Sequence, residues 1–334
     1  MRAVIVRSPG GPEVLEVVDA ERPVPGPDEI VVDVHHSALN RADLLQRIGG
    51  YADPRRRAGS TAPEILGMEY AGTVAALGER VVEWTVGDAV MGIESGGCYA
   101  EQVATNARQA MPVPDGLALA DAAAVPEVFL TAWDALVVQG GLTSGRWALV
   151  HAGASGVGTA AIQIVRVIGA HVAATCSPGK VAACRALGAD VVLERSPADW
   201  TAALGEALAE HGRTDGVDVV LDVVGGEEAD RNLRAVRSKG SIVQVGLLGG
   251  GRSSVNVGLL MAKRARWIGT MLRSRPPEEK LAISQRFVEE VVPLFARGAL
   301  RPVIDRRFAL ADVADAHRYM ETNANIGKIL LDVR

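Results

Sequence analysis

The chain has 334 residues, of which 48% are hydrophobic and 22% are charged, and its formal net charge at pH 7 is −5. This length suffices for two domains with hydrophobic cores, and the charge gives no basic surface for nucleic acid and no polybasic anchor for a membrane. The apolar segments are too short to span a bilayer, and Cys98, Cys176 and Cys184 lack a CxxC spacing, so we expect a cytoplasmic protein in a reducing compartment.

The first 121 residues have the pattern of a β-rich domain. Strand-like runs at 30–34, 72–76 and 89–91 are separated by turns that contain Pro, Gly and Asp. This pattern is typical of a compact barrel. We therefore predict that residues 1–121 form the first part of a barrel-like domain.

From residue 122 onward, helix-like and strand-like segments alternate. The strand-like segments lie at 147–152, 171–175, 190–193, 217–224, 240–245 and 267–271, and the helix-like ones at 157–168, 180–187 and 198–210. This alternation predicts an α/β domain with a doubly wound parallel sheet of the Rossmann type over 122–272. Residues 273–334 return to the first domain, with a helix at 278–296 and a last strand at 328–333 that we expect to pair with it.

A glycine turn follows the strand-like segment at 147–152. It contains Gly153, Ser155, Gly156, Val157 and Gly158. Such a turn lets the backbone approach a pyrophosphate, and the helix that follows offers free N–H groups and the positive end of its dipole. Ser155 stands where a strict GxGxxG has its second glycine, but the buried strand before the turn and the helical pattern after it supply the context. The expected ligand is a dinucleotide.

The residues after the second strand of this domain favour NADP(H). NAD-selective folds place an Asp or Glu at this strand end, whereas the chain has Ala-Thr-Cys-Ser at 174–177. Ser177, Lys180 and Arg195 follow, and ammonium and guanidinium groups suit a 2′-phosphate. The alternative is that both cations are ordinary surface residues, but their clustering beside a strand end without an acid favours the phosphate site.

Four segments together resemble the medium-chain dehydrogenase/reductase superfamily. They are Ser-Ala-Leu-Asn-Arg-Ala-Asp at 37–43, Gly-Met-Glu at 67–69, Ala-Ala-Ala-Val-Pro-Glu at 122–127 and the glycine turn. Within the superfamily, the chain is most similar to the zinc-independent, zeta-crystallin-like quinone oxidoreductases, in particular their tumour-suppressor-inducible branch, over essentially its whole length. The resemblance implies a GroES-like β-barrel domain beside the Rossmann domain.

Zinc-dependent members of the superfamily carry their ligands at three places where this chain has other residues. Asn40, Met68 and the Pro126–Glu127 stretch stand there, and neither Asn nor Met replaces a thiolate or imidazole ligand. We therefore expect no metal. Without a Lewis acid to polarise an alcohol, the natural substrate is an electrophile that accepts hydride readily. Quinones meet this description, and 2-alkenals or enones are the alternative.

The mechanistic hypothesis is direct hydride transfer from nicotinamide C4 to a stacked quinone, with ortho-quinones favoured, followed by protonation of the hydroquinone anion. The resemblance implies that Tyr51 lies at the mouth of the active site, that Asn40 and Asp43 line its floor, and that Thr131 meets the nicotinamide. Structural alternatives are helix capping for Asn40 and Asp43, surface packing for Tyr51, and a bond from Thr131 to its own helix.

Further cofactor contacts are implied at strand ends and in the tail. The residues concerned are Gly225, Gly246, Leu247, Leu272, Arg273, Ser274, Asn325 and Lys328. By resemblance, Gly246, Leu247 and the 272–274 segment supply backbone contacts to the ribose and the carboxamide. Asn325 and Lys328 close over the cofactor. The alternatives are ordinary tight turns for the glycines and a solvated strand-end charge for Lys328.

The sequence also suggests how the chain associates. We expect a homodimer formed through the sheet edge near 267–271, with a small-molecule substrate and no nucleic-acid or membrane partner. His151, at the end of a buried strand, is interpreted as a hydrogen-bonded structural residue. A non-enzymatic, crystallin-like or RNA-binding role is a third hypothesis, and the lack of a basic or aromatic stripe argues against RNA.

Overall fold

The computed structural model describes residues 1–51, 64–195 and 199–334. The chain forms two compact units. Unit 1 comprises Met1–Leu130 and Leu272–Arg334, and unit 2 comprises Thr131–Met271. In the part of the chain that is described, no helix is long and apolar enough to cross a membrane.

The first segment of unit 1 consists mainly of short strands. The strands are β1 (Arg2–Val6), β2 (Leu15–Asp19), β3 (Glu29–Ala38), β4 (Glu64–Ile65), β5 (Glu69–Leu77), β6 (Ala89–Ile93), β7 (Gln102–Asn106) and β8 (Met111–Pro112). The helices are α1 (Arg41–Arg47), α2 (Leu119–Ala122) and α3 (Pro126–Trp133). The unit boundary falls inside α3, later than the change of sequence pattern at residue 122. α2 packs against β3 and β5, which keeps this segment with the β-rich unit.

Unit 2 is built on a parallel sheet with the strand order β11-β10-β9-β12-β13-β14. The strands are β9 (Trp147–Val150), β10 (His171–Cys176), β11 (Val191–Glu194), β12 (Val217–Asp222), β13 (Val236–Gln244) and β14 (Arg266–Gly269). The helices are α4 (Gly156–Val167), α5 (Val181–Ala186), α6 (Thr201–Glu210), α7 (Glu228–Ala235) and α8 (Val257–Lys263). The chain reverses its direction across the sheet between β9 and β12, which is where doubly wound sheets bind nucleotides.

The predicted strands of this domain all coincide with observed strands. β12 ends at Asp222 rather than at 224, because the Asp222 carboxylate accepts hydrogen bonds from the N–H groups of Val224 and Gly225 and turns the chain there. The helix predicted at 198–210 is α6, which begins at Thr201, and residue 198 itself lies outside the described residues. The helices α7 and α8 were not predicted.

The tail completes unit 1. It contains α9 (Pro277–Glu290), α10 (Val292–Ala296), β15 (Ile304–Ala309), α11 (Val313–Glu321) and β16 (Lys328–Asp332). β16 pairs antiparallel with β3, with Leu330 opposite Ala38, so the expected return of the last strand to the first domain is confirmed. The single helix predicted at 278–296 is wrong. Two helices meet at Val291, because Pro293 has no N–H to continue the first helix.

The sheet of unit 1 places β3 at its centre. β3 lies between β16 and β5, and β7 also pairs with it. A separate sheet has the order β2-β1-β4. The core of this unit includes the fully buried side chains of Ile30, Val32, Tyr70, Tyr99 and Leu331. β3 and β16 thereby bring residues from both ends of the sequence to the same buried region.

Candidate active site

A buried ion pair links the first and last segments of unit 1. The ammonium of Lys328, at the start of β16, lies 2.7 Å from Oε1 of Glu69, the first residue of β5. It also donates to Oδ1 of Asn40 and to the carbonyl oxygen of Leu39, each at 2.7 Å. Since an ammonium has three N–H donors, all of them have an acceptor here. Lys328 is 3% exposed, so its interpretation as a solvated strand-end charge is wrong.

The same network fixes the orientation of Asn40. Its Oδ1 accepts from Lys328, and its Nδ2 donates to Oε1 of Glu69 at 2.8 Å. Its backbone N–H donates to Oδ2 of Asp43 at 2.7 Å, as in a capping box at the start of α1. The phenol of Tyr99 donates to the same Asp43 oxygen at 3.0 Å. Asp43 therefore caps the helix from a fully buried position.

Burial raises the pKa of Asp43 to about 6, although the hydrogen bonds from Asn40 and Tyr99 and the charge of Lys328 lower it. Because this pKa lies above the ordinary value, ionising the side chain destabilises the fold. The stability that Asp43 contributes is complete in acid and is lost as the pH rises through about 6. At neutral pH the carboxyl is mainly ionised and faces Lys328.

A second acidic residue in this cluster, Glu127, lies in the first turn of α3. Its backbone N–H donates to Oε2 of Glu69 at 2.9 Å. Burial, and next the negative charge of Glu69, raise the pKa of Glu127 to about 8. The carboxyl therefore holds its proton at neutral pH. Glu69 and Glu127 are not among the site residues predicted from the sequence, although both belong to segments that carry the family resemblance.

Tyr51 is held by a buried arginine of the same unit. The Arg273 guanidinium carbon lies 4.7 Å from the centre of the Tyr51 ring, and its Nη1 donates to the Tyr51 carbonyl oxygen at 3.1 Å. Its Nε donates to the carbonyl oxygen of Ser95 at 2.8 Å. Burial, and next the charge of Glu127, raise the pKa of the Tyr51 phenol, which stays neutral and able to donate.

The residues at two of the zinc-ligand positions that the resemblance implies, Asn40 and Met68, do not fit a zinc ion. Both polar side-chain atoms of Asn40 are engaged by Glu69 and Lys328, and Met68 offers a buried thioether. The Lys328 ammonium places a positive charge within 2.7 Å of the Asn40 oxygen. Across residues 1–51, 64–195 and 199–334, no group of three or more His, Cys, Asp or Glu side chains could hold a metal ion.

The glycine turn of unit 2 has the geometry that a pyrophosphate requires. Ser155 caps α4, and its hydroxyl accepts from the N–H of Gly158 at 3.0 Å. A Cβ on Gly158 would lie 2.2 Å from the carbonyl oxygen of Ala152, so only glycine fits. The N–H groups of Gly156 and Val157 belong to the first turn and have no acceptor within the helix. These donors and the helix dipole suit a dinucleotide phosphate.

The cations expected at the 2′-phosphate follow two neighbouring strand ends. Cys176 of β10 and Glu194 of β11 are in register, and the N–H of Arg195 donates to the Cys176 carbonyl oxygen at 2.6 Å. Ser177 and Arg195 therefore follow at the same edge of the sheet, and both are exposed. The N–H of Lys180, the N-cap residue of α5, donates to the Ser177 carbonyl oxygen at 3.1 Å.

A buried chain of hydrogen bonds supports the turn after β12. His151 Nδ1 lies 2.9 Å from the Thr175 hydroxyl, and its Nε2 lies 2.6 Å from Oδ1 of Asn232. Nδ2 of Asn232 donates to Asp222, whose other carboxylate oxygen accepts from the Gly225 N–H. Gly225 has a φ of 66°, which favours glycine. His151 has the structural role that the sequence indicated, and it orients this turn.

The other candidate residues are distributed over both units. In unit 2, the Gly246 N–H donates to the Asp222 carbonyl oxygen at 3.3 Å, Leu247 is exposed, and Thr131 is buried in α3. In unit 1, Leu272 is buried and Ser274 is exposed, and Asn325 donates to the Gly327 carbonyl oxygen at 2.8 Å. Unit 1 thus holds Asn40, Asp43, Tyr51, Arg273 and Lys328.

Two family models match the chain. "Alcohol dehydrogenase GroES-like domain" matches residues 26–115, and "Zinc-binding dehydrogenase" matches residues 187–331. Among curated proteins, the spectinabilin polyketide synthase system protein NorB of Streptomyces orinoci is 35% identical over 308 residues, which are 91% of this chain and 13% of NorB. The chain spans between 5% and 15% of the length of the first curated relatives that it matches.

Three solved structures are similar over nearly their whole length. The quinone oxidoreductase of Pseudomonas syringae pv. tomato DC3000 is 31% identical, with a TM-score of 0.87 and 99% of each chain covered. The Escherichia coli quinone oxidoreductase complexed with NADPH is 27% identical, with a TM-score of 0.88 and 100% of each covered. CurK enoyl reductase is 26% identical, with a TM-score of 0.86, and the match covers 100% of this chain and 99% of CurK. The predicted fold class, a GroES-like domain and a Rossmann-type domain, is confirmed.

Proposed function

The chain belongs to the medium-chain dehydrogenase/reductase superfamily of NAD(P)-dependent oxidoreductases, and we propose that it reduces quinones with NADPH and without a catalytic metal. The observation that carries this proposal is the Lys328 ammonium, which binds Glu69 and also Asn40, the residue at one of the places where zinc enzymes of the superfamily have a ligand. A site without a Lewis acid suits an acceptor that is already electrophilic. The similarity to two quinone oxidoreductases, one of them complexed with NADPH, supports the same acceptor and cofactor.

In this proposal, NADPH when bound supplies the hydride, and the chain's own residues bind, orient and donate. The N–H groups of Gly156 and Val157 bind the pyrophosphate, and Thr131 meets the nicotinamide side. Asn40, held rigid by two hydrogen-bond partners, lines the floor of the quinone site with Asp43. The neutral phenol of Tyr51 donates a hydrogen bond to the oxygen on which negative charge develops. Fixed donors of this kind need no reorganisation during the reaction.

The alternative acceptor is a 2-alkenal or enone. It is supported by the similarity to CurK enoyl reductase and to polyketide synthase proteins. Both acceptors take a hydride from the same cofactor at a centre that a carbonyl group makes electrophilic. The difference therefore lies in which atom of the acceptor the hydride reaches and not in the residues that bind the nucleotide.

The deciding experiment compares acceptors under NADPH. We expect ortho-quinones to be reduced fastest, para-quinones more slowly, and 2-alkenals and simple aldehydes slowest, because adjacent carbonyl groups make a flat electrophile that needs no metal. The measurement is NADPH oxidation followed by absorbance for each acceptor at matched concentration. Faster turnover of 2-alkenals than of every quinone selects the alternative. No oxidation with any acceptor, together with tight RNA binding, would favour a non-enzymatic role.

A second prediction concerns cofactor choice. Replacing Lys180 or Arg195 by Ala should weaken NADPH binding roughly tenfold or more, because each charge-assisted contact to a 2′-phosphate is worth about 1.5–3 kcal/mol. NADH binding should barely change. The measurement is the ratio of the two dissociation constants at low and physiological salt. Arg185→Ala, which removes an exposed cation at the other end of α5, is the matched control. A wild-type protein that prefers NADH refutes the assignment.

The homodimer and the cytoplasmic location stay predictions. β14 is the edge strand of the unit 2 sheet, and Met271, just after it, is half exposed. An edge strand offers unpaired backbone groups to another strand. These features support the proposed pairing of two copies through this edge.

A further inference from the structure

One guanidinium nitrogen of Arg273 has no hydrogen-bond partner. Arg273 is 8% exposed, and its Nε and Nη1 donate to the carbonyl oxygens of Ser95 and Tyr51. Its Nη2 is buried and has no acceptor among the residues that the structure describes. A buried charged donor without an acceptor destabilises the fold. Such a donor is expected where a ligand supplies the missing oxygen.

Glu127 lies close to this donor. The Arg273 charge lowers the pKa of Glu127, but burial and the charge of Glu69 have the larger, opposite effect, and the value of about 8 leaves the carboxyl protonated. No described residue hydrogen-bonds to this carboxyl group, and its backbone N–H is fixed on Glu69. The charged groups around the two residues are Asp43, Glu69, Glu94, Lys280 and Lys328.

Glu127 and Arg273 line the same small cavity. Its volume is about 10 Å³, which suffices for a single oxygen atom or one water molecule and is far too small for a ring. The apolar part of its wall comes from Met68, Ile93 and Leu272. Glu127 and Arg273 therefore line the same oxygen-sized space, and its other polar lining residues are Glu94, Gln109 and Lys280.

We propose that Arg273 Nη2 and Glu127 form the binding site for the substrate's carbonyl oxygen, with Arg273 donating a hydrogen bond and Glu127 delivering the proton. This rests on the proposed function, since NADPH is the reductant. The quinone gains a hydride, and the hydroquinone anion then takes the proton as the O–H bond of Glu127 breaks and the new phenolic O–H bond forms. Glu127 is left as a carboxylate and regains a proton from water, and NADPH leaves as NADP⁺.

The first test needs neither cofactor nor turnover. Infrared spectra of the apo protein at neutral pH should contain a protonated-carboxyl band that disappears as the pH rises through about 8. The band should be missing from Glu127→Gln and present in Glu289→Gln, which removes an exposed carboxylate of α9. Binding of phenanthrenequinone to the apo protein should weaken about tenfold or more in Arg273→Lys, which keeps the charge but lacks Nη2. A Glu127→Gln protein that retains the band, or unchanged quinone binding in a folded Arg273→Lys, overturns the proposal.

Kinetics give the second test. With an ortho-quinone and NADPH, kcat of Glu127→Gln should fall about a hundredfold or more, as expected for the loss of a general acid, while the dissociation constant of NADPH stays the same. The wild-type rate should decline as the pH rises through about 8, because only the protonated acid delivers a proton, and the variant should lose this decline. Equal rates and pH profiles in both proteins refute Glu127 as the donor. If the wild-type protein fails to oxidise NADPH with every acceptor tested, the proposed function is refuted. The infrared and quinone-binding results then still decide whether Arg273 and Glu127 form the proposed site.

Discussion

Gly158→Ala will remove NADPH binding almost completely. The added Cβ would lie 2.2 Å from the Ala152 carbonyl oxygen and 2.6 Å from the Gly153 carbonyl carbon, and both are backbone atoms that cannot rotate away. The turn must therefore open, which separates the N–H groups of Gly156 and Val157 from the pyrophosphate. Losing two hydrogen bonds to a charged group, each worth about 1.5–3 kcal/mol, weakens binding by about a hundredfold or more.

The matched control for this variant is Gly205→Ala. Gly205 lies inside α6 and is exposed, and a Cβ added there would meet no described atom within 4 Å apart from its chain neighbours and the backbone of its own helix. Alanine is the better helix former by about 0.5–1 kcal/mol, so this variant should be slightly more stable and bind NADPH normally. NADPH titration by fluorescence, with urea unfolding of both variants, measures the contrast. Normal NADPH affinity in Gly158→Ala means that the turn does not hold the pyrophosphate.

Lys328→Met will destabilise unit 1 by about 3–5 kcal/mol. The substitution leaves the fully buried carboxylate of Glu69 without its cation, and removing one partner of a buried ion pair has a cost of this size. The Asn40 amide also loses the donor that fixes its orientation. The double variant Lys328→Met/Glu69→Gln should regain a large part of the stability, because neither charge is then left buried alone.

The control for the ion pair is Arg286→Met. Arg286 pairs with Glu290 on the exposed face of α9, and pairs of this kind contribute little to stability. Denaturant unfolding of the wild type, both single variants and the double variant gives the comparison. If Lys328→Met unfolds at the same denaturant concentration as the wild type, the buried pair does not stabilise the fold, and the assignment of Lys328 as the residue that positions Asn40 loses its basis.

The elements predicted well from the sequence are those whose signal is local. The strand β9, the glycine turn and α4 follow each other without interruption, and each has its own pattern. The helices α7 and α8 lack such a signal. In α8 the apolar residues Val257 and Met261 are exposed, so the apolar residues do not mark one buried face. In α7 the polar residue Asn232 is buried, so the buried face is not purely apolar. The break between α9 and α10 depends on a single proline.

The candidate site was harder to predict from the sequence than the fold, because its interactions join residues that lie far apart in the sequence. The family resemblance predicted Asn40, Asp43 and Tyr51 as site residues. The hydrogen-bond partners of Asn40 are seen only in the structure. Lys328 and Asn40 are 288 positions apart, and nothing in either segment specifies that they meet. Likewise, the proton on Glu127 is held by burial and by Glu69, and both depend on how unit 1 packs.

The discontinuity of unit 1 bears on how the chain acquires its structure during synthesis. All of unit 2, Thr131–Met271, has been translated before β15 and β16 exist, although β1 to β8 precede it in the chain. β3 is therefore synthesised well before its neighbour β16, and Glu69 is synthesised well before Lys328, whose ammonium pairs with it. Domains commonly fold as units while synthesis proceeds. In this chain the unit that begins first is completed last, and the buried carboxylate of Glu69 remains without its cation until β16 has been synthesised.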